Sequence, residues 1–449
     1  MKAHTVSARP MPFMRTLLWR RLTARLCLAG LLSLPALNAP AAPIALAAPS
    51  AQAAPNAQAY LPAEAVVKDA LLASPGIKSA RAQKEALNLR ANTLRSGTAE
   101  FTLRANLQQR RVPASQERLN EHTISLERPV RLWGKSAVDG QLSDKTVALA
   151  EVAFNDAMHE ASRELMKLWF VHAHAALAQR HAQQQLSSAT QIHQLAQARF
   201  KQGEIARMDL ELSQAEVQRA QAAQQLAQAE LANAAALLTG RYPGLPLSSH
   251  QLVIHAQDLG DFAEPQAALK QGFLEQNHEL KMLSIEADRL QLWAERARLD
   301  RLPDPTVGVY SARDRSGAEQ VTGLSFSMPL SGSVRRDTAQ ATLADAQAAA
   351  DKVRRLQQQL GAEFDQWWTG FHSKRAAAAQ LQSAADTQSR AADKSRKAYA
   401  LGEHSLFEML MIARTAQEQQ FAASRLQLEM LESLALLQLE LHQIWDFDL

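Results

Sequence analysis

The chain has 449 residues, of which 47 % are hydrophobic and 21 % are charged. Lys and Arg outnumber Asp and Glu by 49 to 45, but six of the basic residues precede residue 48, so the rest of the chain is slightly acidic. This charge balance gives no compositional support for nucleic-acid binding. The single cysteine, Cys27, excludes an internal disulfide and a cysteine-based metal site.

Residues 1–47 have the pattern of a secretory signal peptide. Four arginines precede an apolar run from Leu26 to Ala36, and Ala-x-Ala cleavage motifs follow, so the segment ends at residue 47 or as late as residue 53. Cys27 lacks the small apolar box that precedes an acylated cysteine, so no lipid anchor is expected. Residues 48–60 are rich in Ala, Pro and Gln and predict a flexible N-terminal arm. No later apolar run reaches the ~18 residues of a transmembrane helix.

From Leu61 onward the chain contains two copies of one pattern. The motif that contains Phe200, Gly203 and Glu204 recurs as Tyr399, Gly402 and Glu403, a spacing of 199 residues. We therefore expect repeat 1 at 61–242, a linker at 243–268 and repeat 2 at 269–449.

Each repeat contains two segments in which apolar and polar residues alternate, the pattern of a β-hairpin. The predicted strands cover residues 100–109, 121–130, 305–312 and 321–329. Strands of ~10 residues can cross a bilayer at a tilt, but four strands cannot close a barrel, and open edges in lipid are unfavourable. Several chains must therefore contribute. A trimer with twelve strands would leave a lumen, whereas a dimer with eight strands would fill with side chains.

Four long proline-free segments predict helices of coiled-coil character. They cover residues 136–200, 208–238, 335–399 and 406–444. A helix of ~65 residues extends on the order of 100 Å, which is too long for an ordinary globular domain. The expected fold class is α plus membrane β-barrel, with two tandem repeats of helix, β-hairpin and long antiparallel helices.

The two turns between the long helices are candidate docking tips. Each contains an aromatic residue, a glycine and a glutamate: Phe200, Gly203 and Glu204 in the first, and Tyr399, Gly402 and Glu403 in the second. A glycine also ends a helix and an acidic residue also starts one, so simple capping is an equal alternative.

The sequence contains no signature of an enzyme active site. A Gly-rich phosphate loop, a nucleophile elbow and an HExxH motif are all absent. His172 and His174 are two positions apart on a predicted helix and face different directions, so they cannot chelate one ion. We expect no catalytic residue, no cofactor and no metal site.

Several segments resemble the TolC-like outer-membrane efflux proteins. The resemblance rests on residues 302–309 (LPDPTVGV) and 324–330 (LSFSMPL) and on the two aromatic-x-x-Gly turns. Together with residues 127–135 (ERPVRLWGK), the PDPTV stretch resembles the heavy-metal cation (CzcC-like) branch.

The resemblance implies a homotrimer with a twelve-stranded barrel in the outer membrane of a Gram-negative bacterium and a helical tunnel in the periplasm. It implies docking of the two tips to a periplasmic adaptor and an inner-membrane pump of the RND type, with heavy-metal cations as cargo. Asp386 and Asp393 correspond to a tunnel constriction, although an ordinary helix surface also explains each of them.

Trp133 and Tyr310 flank the predicted strands and are candidate membrane-interface anchors. Trp133 could instead cover a helix junction. A different class of protein, a periplasmic coiled-coil adaptor or scaffold without a barrel, explains the long helices but not the four alternating strands.

Overall fold

The computed structural model describes residues 57–97, 99–247, 259–260 and 262–447. The predicted signal peptide, the arm up to residue 56, and residues 248–258 and 261 of the predicted linker lie outside these ranges. None of the helices in the described ranges has the length and apolar composition of a membrane-spanning helix.

The two repeats have the same elements in the same order. The first consists of α1 (Glu64–Ala73), α2 (Pro75–Ser96), β1 (Thr102–Val112), β2 (Glu117–Pro129), α3 (Lys135–Lys201) and α4 (Arg207–Arg241). The second consists of α5 (Gln266–Gln276), α6 (His278–Leu299), β3 (Thr306–Asp314), β4 (Glu319–Ser327), α7 (Ser333–Ala400) and α8 (Leu406–Glu440). Equivalent helices have nearly equal lengths, with 67 and 68 residues in α3 and α7.

The short helices of each repeat are separated by a capping residue at the equivalent position. The Ser74 side chain accepts a hydrogen bond from the Ile77 amide at the start of α2. The Asn277 side chain accepts one from the Leu280 amide at the start of α6. Both satisfy an amide in the first turn that has no partner within the helix.

The strands form one antiparallel sheet in the order β1-β2-β3-β4, and the β2–β3 pairing joins the two repeats. The first hairpin is longer than predicted. Arg110 and Arg111, assigned from their polarity to a loop, pair with Leu119 and Arg118 and extend both strands. Residues 113–116 form the turn.

Alanines at seven-residue intervals hold the long helices together. In α3 with α4, and in α7 with α8, one buried alanine per heptad faces the neighbouring helix, which permits close approach of the backbones. The alanines are Ala182, Ala189 and Ala196 in α3, Ala220, Ala227 and Ala234 in α4, Ala378, Ala385 and Ala392 in α7, and Ala416 and Ala423 in α8.

Larger side chains form a core where α1, α3, α8 and the C-terminal residues meet. The sequence predicted that the last helix continues to residue 444, but α8 ends at Glu440. His442 and Trp445 have positive φ angles of 54° and 50°, which no helix accommodates. The chain turns back, and Ile444, Trp445 and Phe447 are buried against the core.

The last residues of the predicted N-terminal arm also pack on this core. Ala57 is fully buried, and its amide donates a hydrogen bond to Gln438 Oε1 at 3.0 Å. Tyr60 is partly buried against the same core, whereas Ala59 between them is exposed, so Ala57 and Tyr60 attach the end of the predicted arm to the helices.

Candidate functional site

One face of the sheet carries an apolar row that crosses all four strands. Leu103 pairs with Leu126, Leu126 pairs with Val309, and Val309 pairs with Leu324. Neighbouring rows on the same face extend the apolar surface with Leu107, Ile124, Val307 and Phe326, and all eight side chains are between 42 % and 84 % exposed. Contiguous exposed apolar surface of this kind marks an interaction with a membrane or a partner.

Charged residues limit this apolar band at both ends. Arg128 lies two residues from Leu126 on the same face, and His122 pairs with Arg313 at the other end. The six residue steps from His122 to Arg128 correspond to about 20 Å of strand. This height is close to the ~25 Å apolar band of outer-membrane barrels.

The opposite face of the sheet is polar. It carries rows such as Arg104, Ser125 and Tyr310, of which Ser125 is paired with the other two. A Cβ at Gly323 would lie 2.7 Å from the Tyr310 hydroxyl, so the Tyr310 ring covers this glycine. Tyr310 therefore lies on the face that points away from the apolar band, a placement that does not favour the predicted anchor role.

Trp133 lies in the connection between β2 and α3 and is highly exposed. Phe101, Leu302 and Leu330, which adjoin the same end of the sheet, are exposed too. An apolar collar with a tryptophan at a strand end has the composition of a membrane interface. Trp133 is 84 % exposed in the single chain, and its two predicted roles, interface anchor and cover of a helix junction, both stay predictions.

The outer strands β1 and β4 each pair with one neighbour only among the described residues. Within the described ranges, their outward-facing backbone groups have no strand partner. Exposed edges of this kind pair readily with another chain.

Two of the segments that carry the family resemblance meet at the junction between sheet and helices. Lys135 at the start of α3 is 1 % exposed, and its Nζ lies 2.8 Å from Asp304 Oδ1 and 2.9 Å from Asp300 Oδ1. It also donates to the Leu302 carbonyl at 2.7 Å. Asp304 accepts a second hydrogen bond, from the Leu132 amide at 2.9 Å.

A second group of charges extends this junction. Asp139 on α3 accepts from Arg131 at 3.0 Å and from Arg296 on α6 at 2.7 Å. Burial raises the pKa of Asp300, but hydrogen bonds from Arg296 and Lys135 outweigh burial and hold the pKa of this carboxyl below its usual value. These ion pairs hold the starts of α3 and β3 and the end of α6 together at the junction with the sheet.

The two predicted tips lie side by side. The Arg199 guanidinium stacks on the Tyr399 ring at 4.5 Å and donates to the carbonyls of Tyr399 and Ala400 at 3.0 and 2.9 Å. Gly203 and Gly402 have φ angles of 76° and 84°, which is the helix-ending conformation expected from capping.

The tip residues differ in exposure between the two repeats. Tyr399 is buried, whereas Phe200 is partly exposed and Glu204 and Glu403 are exposed. Exposed apolar residues surround the turns, namely Met208, Leu212, Leu401, Phe407 and Met411. We call this mixed surface of apolar and acidic side chains the tip surface. Its composition is typical of a docking site, while its glycine conformations also fit simple helix capping.

Asp386 and Asp393 lie one heptad apart on the exposed surface of α7. Asp386 accepts a hydrogen bond from Gln382 at 2.7 Å, and Asp393 pairs with Arg396. Both carboxylates share one side of the helix, and each directly follows a buried alanine, Ala385 or Ala392. Each interaction is local to α7.

No family model and no curated protein sequence matches this chain. Several solved structures do match it. The chain is similar to the CmeC outer membrane channel of Campylobacter jejuni, with a TM-score of 0.70 and 14 % identity over 92 % of this chain and 94 % of that one. It is similar to the outer-membrane channel OprN, with a TM-score of 0.71 and 17 % identity over 85 % of this chain and 90 % of that one.

CusC, solved in a study of transmembrane channel formation, gives a TM-score of 0.71 and 15 % identity over 84 % of this chain and 91 % of that one. The chain therefore has the fold of outer-membrane channel proteins. The long helices and the β-hairpins, predicted from the sequence patterns, are thus confirmed for a single chain as a helix-rich fold with a small antiparallel sheet.

Proposed function

We propose that three copies of this chain form the outer-membrane channel of a tripartite efflux system in a Gram-negative bacterium. The sheets of the three copies close a twelve-stranded barrel, and their long helices form a periplasmic tunnel. The channel conducts passively, and an inner-membrane pump of the RND type supplies the energy through a periplasmic adaptor.

The observation that carries this proposal is the exposed apolar row across a sheet with two open edges. An apolar face in lipid stabilises the sheet, but unpaired edges in lipid cost several kcal/mol per backbone group. Pairing of β1 of one copy with β4 of the next removes both edges. Twelve strands leave a lumen, whereas the eight strands of a dimer would fill with side chains.

Adaptor docking is proposed for the tip surface, which includes the exposed Leu401 and the six predicted tip residues, Phe200, Gly203, Glu204, Tyr399, Gly402 and Glu403. Its support is the apposition of the two turns and the exposed apolar side chains around them. Asp386 and Asp393 are proposed as the tunnel constriction, supported by their exposure on one side of α7 at heptad spacing.

The proposed cargo is heavy-metal cations. This part rests on the resemblance of residues 127–135 and of the PDPTV stretch to the heavy-metal branch. Deleting the gene and measuring growth tests it. We expect sensitivity to zinc, cobalt, cadmium or copper without sensitivity to organic drugs, and the reverse pattern would contradict the cargo assignment.

A periplasmic adaptor without a barrel is the alternative function, and it leaves the exposed apolar band without a role. Cell fractionation separates the two proposals. We expect the protein in the outer-membrane fraction as a trimer that heating dissociates, whereas a soluble periplasmic monomer would refute the channel.

A further inference from the structure

Three histidines from distant parts of the sequence meet near the C-terminal end of the chain. His159 lies on α3, His278 is the first residue of α6, and His442 follows the end of α8. One ring nitrogen of each lies within 4.8 Å of the others. The group is nearly buried, with the side chains of His159 and His442 11 % and 7 % exposed and His278 4 % exposed.

The surroundings of this histidine cluster favour a cation. The three rings line a cavity of about 80 Å³. Five carboxylates and one guanidinium line the same cavity, namely those of Asp156, Glu160, Glu279, Glu363, Glu440 and Arg163. Glu440 binds Arg163 through both carboxylate oxygens, at 2.7 and 2.9 Å, so the one positive charge is neutralised and the remaining carboxylates leave the cavity negative.

Two of the rings have carboxylates next to them in the arrangement that orients metal-binding histidines. His442 Nδ1 lies 3.3 Å from Asp446 Oδ1, which leaves Nε2 available to a cation. His159 Nε2 lies 3.5 Å from Glu440 Oε2. A carboxylate beside one ring nitrogen fixes the tautomer and increases the basicity of the other nitrogen.

We propose that His159, His278 and His442 bind one divalent cation of the zinc class, with water as the fourth ligand. Imidazole suits Zn²⁺, Cu²⁺, Ni²⁺ and Co²⁺, whereas Mg²⁺ and Ca²⁺ require oxygen ligands. Zn–N distances of about 2.0–2.1 Å place tetrahedral nitrogen ligands ~3.3 Å apart. The three nitrogens lie within 4.8 Å of one another, so binding would require them to approach one another by up to about 1.5 Å.

Such a cation would join three parts of the fold. It would attach the turn after α8 to α3 of the first repeat and to α6 of the second. His442 has a left-handed backbone conformation, with φ at 54°, and cation binding stabilises the folded form in which this conformation occurs. The site is structural and independent of the proposed transport of cations, because a conduit needs weak binding and rapid release.

The test uses the full chain, purified in detergent with an affinity tag that contains no histidine. After dialysis against a chelator, we expect added Zn²⁺ to bind at one ion per chain and to raise the midpoint of thermal unfolding. His159→Gln, His278→Gln and His442→Gln are each expected to weaken zinc binding at least tenfold. His174→Gln is the matched control, because His174 on α3 also contacts a carboxylate, Glu432 at 3.3 Å, but lies outside the cluster.

Two further measurements keep the test valid if a histidine variant folds poorly. Co²⁺ bound to the unaltered chain should give the visible absorption bands of a tetrahedral nitrogen site, and Asp446→Asn should weaken zinc binding by ~10–100-fold without loss of the fold. Absence of zinc binding by the unaltered chain, or equal loss of binding in His174→Gln, would overturn the proposal. Zinc binding requires neither a pump nor a membrane. A failure to bind zinc would therefore leave the proposed channel function standing, and a failure of the channel proposal would leave the zinc site standing.

Discussion

Substitution of Leu324 by Arg tests whether the apolar face of the sheet contacts lipid. Leu324 is 84 % exposed in the isolated chain and ends the row that begins at Leu103. In water, arginine at such an exposed position changes the free energy of unfolding by at most about 0.5 kcal/mol. On the lipid face of a barrel, the same change costs about 2–4 kcal/mol near the midplane.

The magnitude per assembly is larger, because a trimer carries the substitution three times. The expected cost is therefore on the order of 6–12 kcal/mol per barrel. The matched control is Val321→Arg, an apolar-to-arginine change on the same strand but on the opposite, polar face. We expect trimer recovered from outer membranes to fall sharply for Leu324→Arg and little for Val321→Arg. Equal recovery of the two variants would refute the lipid-facing assignment.

Three further predictions concern the junction, the cavity next to the histidine cluster and the tip surface. Lys135→Met removes the charged partner of Asp304 and leaves Asp300 paired with Arg296 alone, so it should lower the free energy of unfolding by about 3 kcal/mol. Lys145→Met, which breaks an exposed pair, should lower it by less than about 1 kcal/mol. Burial and the nearby charge of Glu160 raise the pKa of Asp156 to about 6 in the folded protein. The folded state therefore binds the carboxyl proton more tightly than the unfolded state, and stability declines as the pH rises from about 4 to about 6. Denaturant titrations in the presence of a chelator would compare Asp156→Asn with the unaltered chain. At pH 7.5 the variant should have a free energy of unfolding higher by about 1 kcal/mol, after allowance for solvent screening, and below pH 4 the two should be equal. A higher stability of the variant at both pH values would contradict this reasoning. Leu401→Asp should abolish copurification of the adaptor with little change in the thermal midpoint, whereas Leu226→Asp should not, because Leu226 is similarly exposed but lies on α4. Equal copurification with the two variants would exclude Leu401 from docking.

The long helices and their turns follow from local chemistry, which is why the sequence predicts them. The absence of proline from residues 136–200 permits an unbroken helix, and Gly203 supplies the left-handed turn that ends it. The extension of β1 depends instead on pairing with β2. Arg110 has the polarity of a loop residue, and only the ladder with Leu119 makes it part of a strand.

Contacts between distant residues are the part that the sequence does not reveal. His159 and His442 are 283 positions apart, and their proximity depends on where α8 ends and how the chain turns back. Residue spacing excluded His172 and His174 as a chelating pair but gave no signal for histidines on different elements. The sequence does not reveal the burial of Lys135 either, because its partner carboxylates, Asp300 and Asp304, lie more than 160 positions away, at and just beyond the end of α6.

Cross-linking of the sheet edges tests the central claim most directly. Ala105 on β1 and Thr322 on β4 are three strand spacings apart within one chain, about 14 Å, which is too far for an internal disulfide. In a Cys27→Ser background, cysteines at these two positions and at neighbouring registers would be oxidised in outer membranes. We predict a covalent species of three times the chain mass for at least one register; chains that stay uncross-linked at every register, in membranes that contain the folded protein, would contradict the closed barrel.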